Sequence, residues 1–141
     1  MLVIAYDTLK IMNKSKPVKI IEHAGHIEVE LSGFLEPGTD AYLSELRAIV
    51  QRKSNPVGLL YSMSQVEGYS RDVALAHSHA FRVMTPNITG IAVVSTTGVV
   101  RIGITFVSIL SGAKMKGFDS KEPAVSWLDD LSQVAILSPG H

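Results

Sequence analysis

Residues 56–84 constrain the fold more than any other stretch. Val57, Leu59, Leu60, Tyr61 and Met63 build an apolar strand, residues 64–69 read as a polar loop, and a helix opens at Ser70. A strand, a loop at its carboxyl end and a following helix form the repeating unit of α/β sheets, and that loop is where such sheets place their chemistry.

The flanking segments extend this unit. Residues 18–22 and 27–31 alternate apolar and polar around His23-Ala24-Gly25-His26, the pattern of a half-buried antiparallel hairpin. Ile27, Val29 and Leu31 then point one way, and Glu28, Glu30 and Ser32 the other. After Gly33 and Pro37-Gly38, Thr39 is expected to cap a helix reaching Arg52, with Tyr42, Leu43, Leu46, Ile49 and Val50 inward. In the helix from Ser70, the spacing turns Val73, His77, Ala80, Phe81 and Met84 inward. Residues 91–95 are a continuous apolar run, suited to a strand covered on both faces. A helix over 99–110, a short strand over 113–118 and a helix from Lys121 to Leu131 follow. Asp119 and Glu122 have the spacing of a capping box for that last helix, and its Trp127 is expected to be largely buried.

The expected class is therefore α/β: a mixed, mostly parallel sheet with an amino-terminal hairpin and about four helices, in the order β-β-α-β-α-β-α-β-α. Residues 1–17 read as an extension forming an extra strand or short helix, 18–131 as the domain, and 132–141 as a tail with a frayed end.

Composition narrows the function classes. At 141 residues the chain can bury about two-thirds of its unfolded surface in one core. The absence of cysteine excludes disulfides, thiolate catalysis and Cys-ligated zinc, and agrees with a cytoplasmic setting. Thirteen basic residues balance thirteen acidic ones without a basic cluster, which argues against a nucleic-acid partner. Neutrality with positive mean hydropathy also weakens self-repulsion, so a homodimer is open to the chain. The amino-terminal apolar run is short, and neither a signal peptide nor a transmembrane segment is expected.

The third helix is the least ordinary. At about 100° per residue, Arg101, Thr105 and Ser108 make one polar stripe while apolar residues fill an arc of roughly 220°. Three explanations stand: burial between the sheet and a neighbour, the wall of a lipid-sized pocket, or a dimer interface through Val100, Ile104 and Val107.

Several segments together carry a family resemblance. They are Leu31-Ser32-Gly33-Phe34-Leu35, Asp40-Ala41-Tyr42, Arg101, and Gly117-Phe118-Asp119 followed by Ala124-Val125-Ser126-Trp127-Leu128. Their spacing over residues 18–131 resembles the SpoIIAA-like family, within the STAS and SEC14-like superfamily of bacterial anti-sigma-factor antagonist relatives. The resemblance implies a regulatory or binding module without enzymatic activity, acting on a protein partner or on a small apolar, lipid-like ligand. It also implies a regulatory or ligand site near Glu67, Tyr69, Ser70 and His77. In partner-switching members an Asp-Ser pair opens the matching helix and its serine is phosphorylated; here the pair is Tyr69-Ser70.

The residues allow other roles. Ser70 can serve as a helix N-cap. Paired with His77 it would be the nucleophile of a small hydrolase, the alternative function, although no Gly-x-Ser-x-Gly elbow is present. His77 and His79 face different directions on a helix, and His23 and His26 lack a third ligand nearby in sequence, so no metal site is expected. No glycine-rich phosphate loop points to a cofactor.

Overall fold

A computed structural model describes residues 18–137. The expectations for residues 1–17 and for the frayed end at 138–141 lie outside the described residues.

Strands β1 (Val18–Glu22) and β2 (His26–Leu35) form the antiparallel hairpin. β3 (Val57–Tyr69), β4 (Ile88–Val94) and β5 (Met115–Phe118) add in parallel, giving one sheet of order β1-β2-β3-β4-β5. Helices α1 (Leu43–Arg52), α2 (Arg71–Met84) and α3 (Gly98–Ser111) connect the parallel strands, and α4 (Lys121–Leu137) follows β5. The class is α/β as expected, with a mixed five-stranded sheet and four helices.

Because β2 to β5 advance across the sheet in one direction, crossovers of a single hand place α1, α2 and α3 on the same face. The larger core lies there, where Ile27, Val29, Leu59, Tyr61, Ile91 and Val93 meet the helices. Among the described residues α4 covers the other face, over Leu60, Ala92 and Val94, with its own Ala124 and Leu128 fully buried. Both faces of β3 and β4 are thus covered, which accounts for their unbroken apolar runs.

Several expected boundaries move. Residues 64–69 are strand, not loop, because β2 continues alongside as far as the Leu35 and Tyr69 pair. The alternation of buried Val66 and Gly68 with exposed Gln65 and Glu67 is the signal of a half-buried strand. Thr39 does not cap α1. A 3-10 turn over Thr39–Tyr42 precedes the helix, starting from Gly38 at φ 101°, and it has no side-chain cap. Asp119 pairs with Arg101, and α4 starts two residues after it, at Lys121. α4 runs six residues past the expected end at Leu131, to Leu137, into the expected tail.

Trp127 is partly buried. It flanks the smaller core, with its ring 5.7 Å from that of Phe118. α4 sits close to the sheet because β3 and β4 present glycines beneath it. A Cβ at Gly58 would lie 2.9 Å from Leu128 Cδ2 and 3.3 Å from its Cβ. Gly58→Val is therefore expected to force α4 away and destabilise by about 1–3 kcal/mol through overpacking. Urea denaturation measures this, and an unchanged midpoint would contradict the close approach.

Candidate functional site

The carboxyl end of β3 is shaped by two bulges. Two steps on β2, Glu30 to Ser32, answer three on β3, Ser62 to Gln65; then one step, Gly33 to Phe34, answers two, Val66 to Gly68. Gly33 takes φ 75°, which an L side chain resists. The second bulge leaves Glu67 unpaired and exposed. The chain then passes Tyr69 and reaches Ser70, whose N–H donates to Leu35 O at 2.9 Å.

Ser70 caps α2. Its backbone is extended and its Oγ accepts the Val73 N–H at 3.3 Å. Tyr69 is half-buried, and its hydroxyl donates to Val99 O in the first turn of α3 at 3.0 Å. The contact requires glycine at 103, where a Cβ would lie 2.6 Å from the Tyr69 hydroxyl. Burial raises the Tyr69 phenol above its ordinary pKa, so it stays a donor.

His77 lies on the buried face of α2, seven residues from Ser70, or about 10 Å along a helix axis. Both of its nitrogens are engaged. Nδ1 lies 2.8 Å from Val73 O, a carbonyl that can only accept, so Nδ1 carries the proton and Nε2 is an acceptor. Tyr42 Oη, 2.8 Å from Nε2, must then donate to it, and so takes the Tyr61 proton across 2.5 Å. Burial lowers the His77 pKa and raises those of both tyrosines, so the Tyr61, Tyr42, His77 and Val73 chain is neutral and directional. Ser70 and His77 are not brought together as a nucleophile and base.

An apolar cavity of about 60 Å³ lies between the sheet, α2 and α3. Tyr61, Tyr69 and His77 border it, and so do Val100, Gly103, Ile104 and Val107. Val100 and Val107 thus face inward, contrary to an interface made of their side chains, while Ile104 is half-buried. The reason is the sheet: α3 turns Val100, Gly103, Val107 and Ser111 onto it at helical spacing. What α3 leaves outside is a second apolar row, Val99, Ile102, Phe106 and Ile109, with Ile102 71% and Ile109 76% exposed. The polar stripe works within the subunit: Arg101 Nε donates to Ser95 O at 3.1 Å, its guanidinium pairs with Asp119, and Ser108 Oγ donates to Ala113 O.

A model of the SpoIIAA-like family matches residues 26–129. The chain belongs to the SpoIIAA-like family. Solved structures share the fold. A Shewanella loihica protein with a SpoIIAA-like fold has a TM-score of 0.62 at 14% identity, over 79% of this chain and 91% of that one. An anti-sigma factor antagonist from Mycobacterium paratuberculosis gives 0.62 at 18%, over 80% and 93%. Unphosphorylated SpoIIAA, an anti-sigma factor antagonist, gives 0.55 at 8%, over 79% and 97%. No curated protein matches.

In this SpoIIAA-like chain, Glu28 has a role that strand alternation could not show. It points to the α4 side of β2, where alternation suggests solvent, yet it is only 4% exposed. Lys121 Nζ at 2.7 Å and Ser62 Oγ at 2.8 Å reach Oε2, and His23 Nε2 at 2.8 Å reaches Oε1. The nearest sequence signal is an acid on a strand beside a histidine turn. The turn also stacks His23 on His26, with centroids 4.6 Å apart. Burial and His23 lower the His26 pKa. Among the described residues no group of three His, Cys, Asp or Glu side chains is placed to hold a metal ion, and no helix is long and apolar enough to cross a membrane.

Burial raises the Glu28 pKa, but hydrogen bonds from Lys121, His23 and Ser62 outweigh it and hold the carboxyl at about 2, against 4.5 ordinarily. A depressed carboxyl contributes stability above its unfolded pKa and loses it as pH falls through the folded one. Each unit is worth about 1.4 kcal/mol, so the loss between pH 4.5 and 2 is on the order of 2–3 kcal/mol, since half-exposed Lys121 is partly screened. Thermal melts of wild type and Glu28→Gln across that range should show a steeper fall for wild type. Parallel curves would refute it.

Proposed function

We propose that this SpoIIAA-like chain is a non-enzymatic regulatory module that binds a protein partner through the outer face of α3 and the adjoining Glu67, Tyr69 and Ser70 rim. The observation that carries the reading is the outward row Val99, Ile102, Phe106 and Ile109, apolar side chains exposed among the described residues. The Tyr69 to Val99 hydrogen bond joins that row to the rim, so a change at Ser70 falls beside the apolar surface. Two structural neighbours are named anti-sigma factor antagonists, and that fold-level analogy supports a regulatory protein as partner. A non-enzymatic role agrees with Ser70 engaged as a cap and His77 engaged at both nitrogens. The absence of cysteine suits a cytoplasmic setting. A second reading, capture of a small apolar ligand, is favoured by the cavity behind α3.

At Ser70 a phosphate would add roughly two negative charges close to Glu67, repelling an acidic partner while suiting the amino terminus of α2. Ser70→Ala should cost about 1 kcal/mol in stability and keep the partner, whereas Ser70→Asp should cost little and lose it. Ile102→Asp, on the outer row, should stay folded and also lose the partner. Val100→Asp, which is 2% exposed, should instead unfold the subunit by burying an unpaired charge. Thermal melts followed by affinity capture from lysate test the set. Identical captured proteins for wild type, Ser70→Asp and Ile102→Asp would reject the surface, and sedimentation of the purified chain as a dimer that Ile102→Asp dissolves would make a second copy the partner.

A further inference from the structure

The cavity behind α3 shares a wall with the proposed partner surface. Its few polar neighbours are already satisfied: the Tyr61 proton goes to Tyr42, and both His77 nitrogens are bonded. Water entering would find no free donor, so the space favours an apolar guest over water. Size then selects the guest. At about 60 Å³ the space is well below the ~150 Å³ of a cavity that accepts benzene, so it suits a xenon-sized molecule and not a lipid chain.

Tyr69 stands between this space and the surface. Its ring borders the cavity, its hydroxyl holds Val99 O, and its close seat on Gly103 leaves little freedom to tilt without moving α3. Val99 belongs to the outer row, and Ser70 follows Tyr69 directly.

We infer that the cavity between α2 and α3 is an effector site for a compact, uncharged apolar molecule, whose occupancy Tyr69 passes to the outer face of α3. Binding stands on the cavity alone; its regulatory consequence rests on the partner-binding reading. A guest that favours one position of Tyr69 changes the face that a partner meets, and the partner changes guest affinity by the same factor.

The probe is xenon under pressure, followed by amide shifts of the labelled protein with no partner present. Saturable shifts are expected at Val73, Val100, Gly103 and Val107, and also at Val99 and Ile102. Val107→Leu, which fills the cavity, should weaken xenon binding at least about tenfold; if it fails to fold, Val100→Ile takes its place. Tyr69→Phe keeps the ring and should bind within about threefold of wild type while losing the response at Val99 and Ile102. A flat titration in wild type overturns the site. Unweakened binding in the filled variant places xenon elsewhere and overturns it too, and an intact response in Tyr69→Phe overturns the role of Tyr69. Failure to capture a partner would leave these shifts unchanged, and a flat titration would leave partner capture unchanged, so the two ideas fail separately.

Discussion

Parallel pairing between β2 and β3 is the constraint on which the site depends. Carried past both bulges to the Ser70 N–H and Leu35 O hydrogen bond, it decides where β3 stops and α2 starts. Ser70 can cap α2 only because its backbone is still extended at that point while the next residue is helical. Tyr69, one position earlier, is held across the opening toward α3 by the same last rungs. The two bulges add two residues to β3, an even number, so Tyr69 keeps the face of Leu59 and Tyr61 while it is brought level with Leu35, where it meets Gly103.

Two buried polar groups show opposite solutions to one problem. His77 is kept neutral, since burial penalises its cation and a directional hydrogen-bond chain satisfies both nitrogens without charge. Glu28 is kept ionised, since three donors converge on its two oxygens at the margin of α4, where Lys121 remains half in water. The first network joins the turn before α1 to β3 and α2. The second joins the hairpin turn to β3 and the start of α4. Together they pin helices on both faces of the sheet with interactions that lose most of their value if either partner shifts, because a stranded polar group costs more than a satisfied one contributes.

Much of this was legible in the sequence where one periodicity dominates. The alternation of 27–31 and the inward spacing of Val73, His77, Phe81 and Met84 each reflect a single covering surface, and the unbroken run of 91–95 reflects cover on both faces. The strand over 64–69 was not, because its polar content looks like a loop until β2 is known to run beside it. On α3, a wide apolar arc cannot tell which half meets the sheet; Val100 and Val107 go inward because Gly103 between them admits Tyr69. Glu28 was invisible as a buried acid because Lys121 and Ser62 are remote from it in sequence. The Ser70 cap was readable since a cap is local, while the engagement of His77 by Tyr42 is not.

α3 has two apolar rows but only one sheet, and this is the source of any function placed on it. The inner row cannot close completely over the core, since Gly103 supplies no side chain and Tyr69 fills the gap only from the side. The outer row is what remains once the inner row is seated. A shift of Tyr69 would therefore disturb both rows together: the ring leaves the cavity wall, and the hydroxyl releases the first-turn carbonyl at Val99. In the first turn of a helix that carbonyl also accepts from the N–H four residues on, so its release from Tyr69 leaves no stranded acceptor. The first turn of α3 is thus the part of this face best suited to have two arrangements, and it lies next to the residue that caps α2.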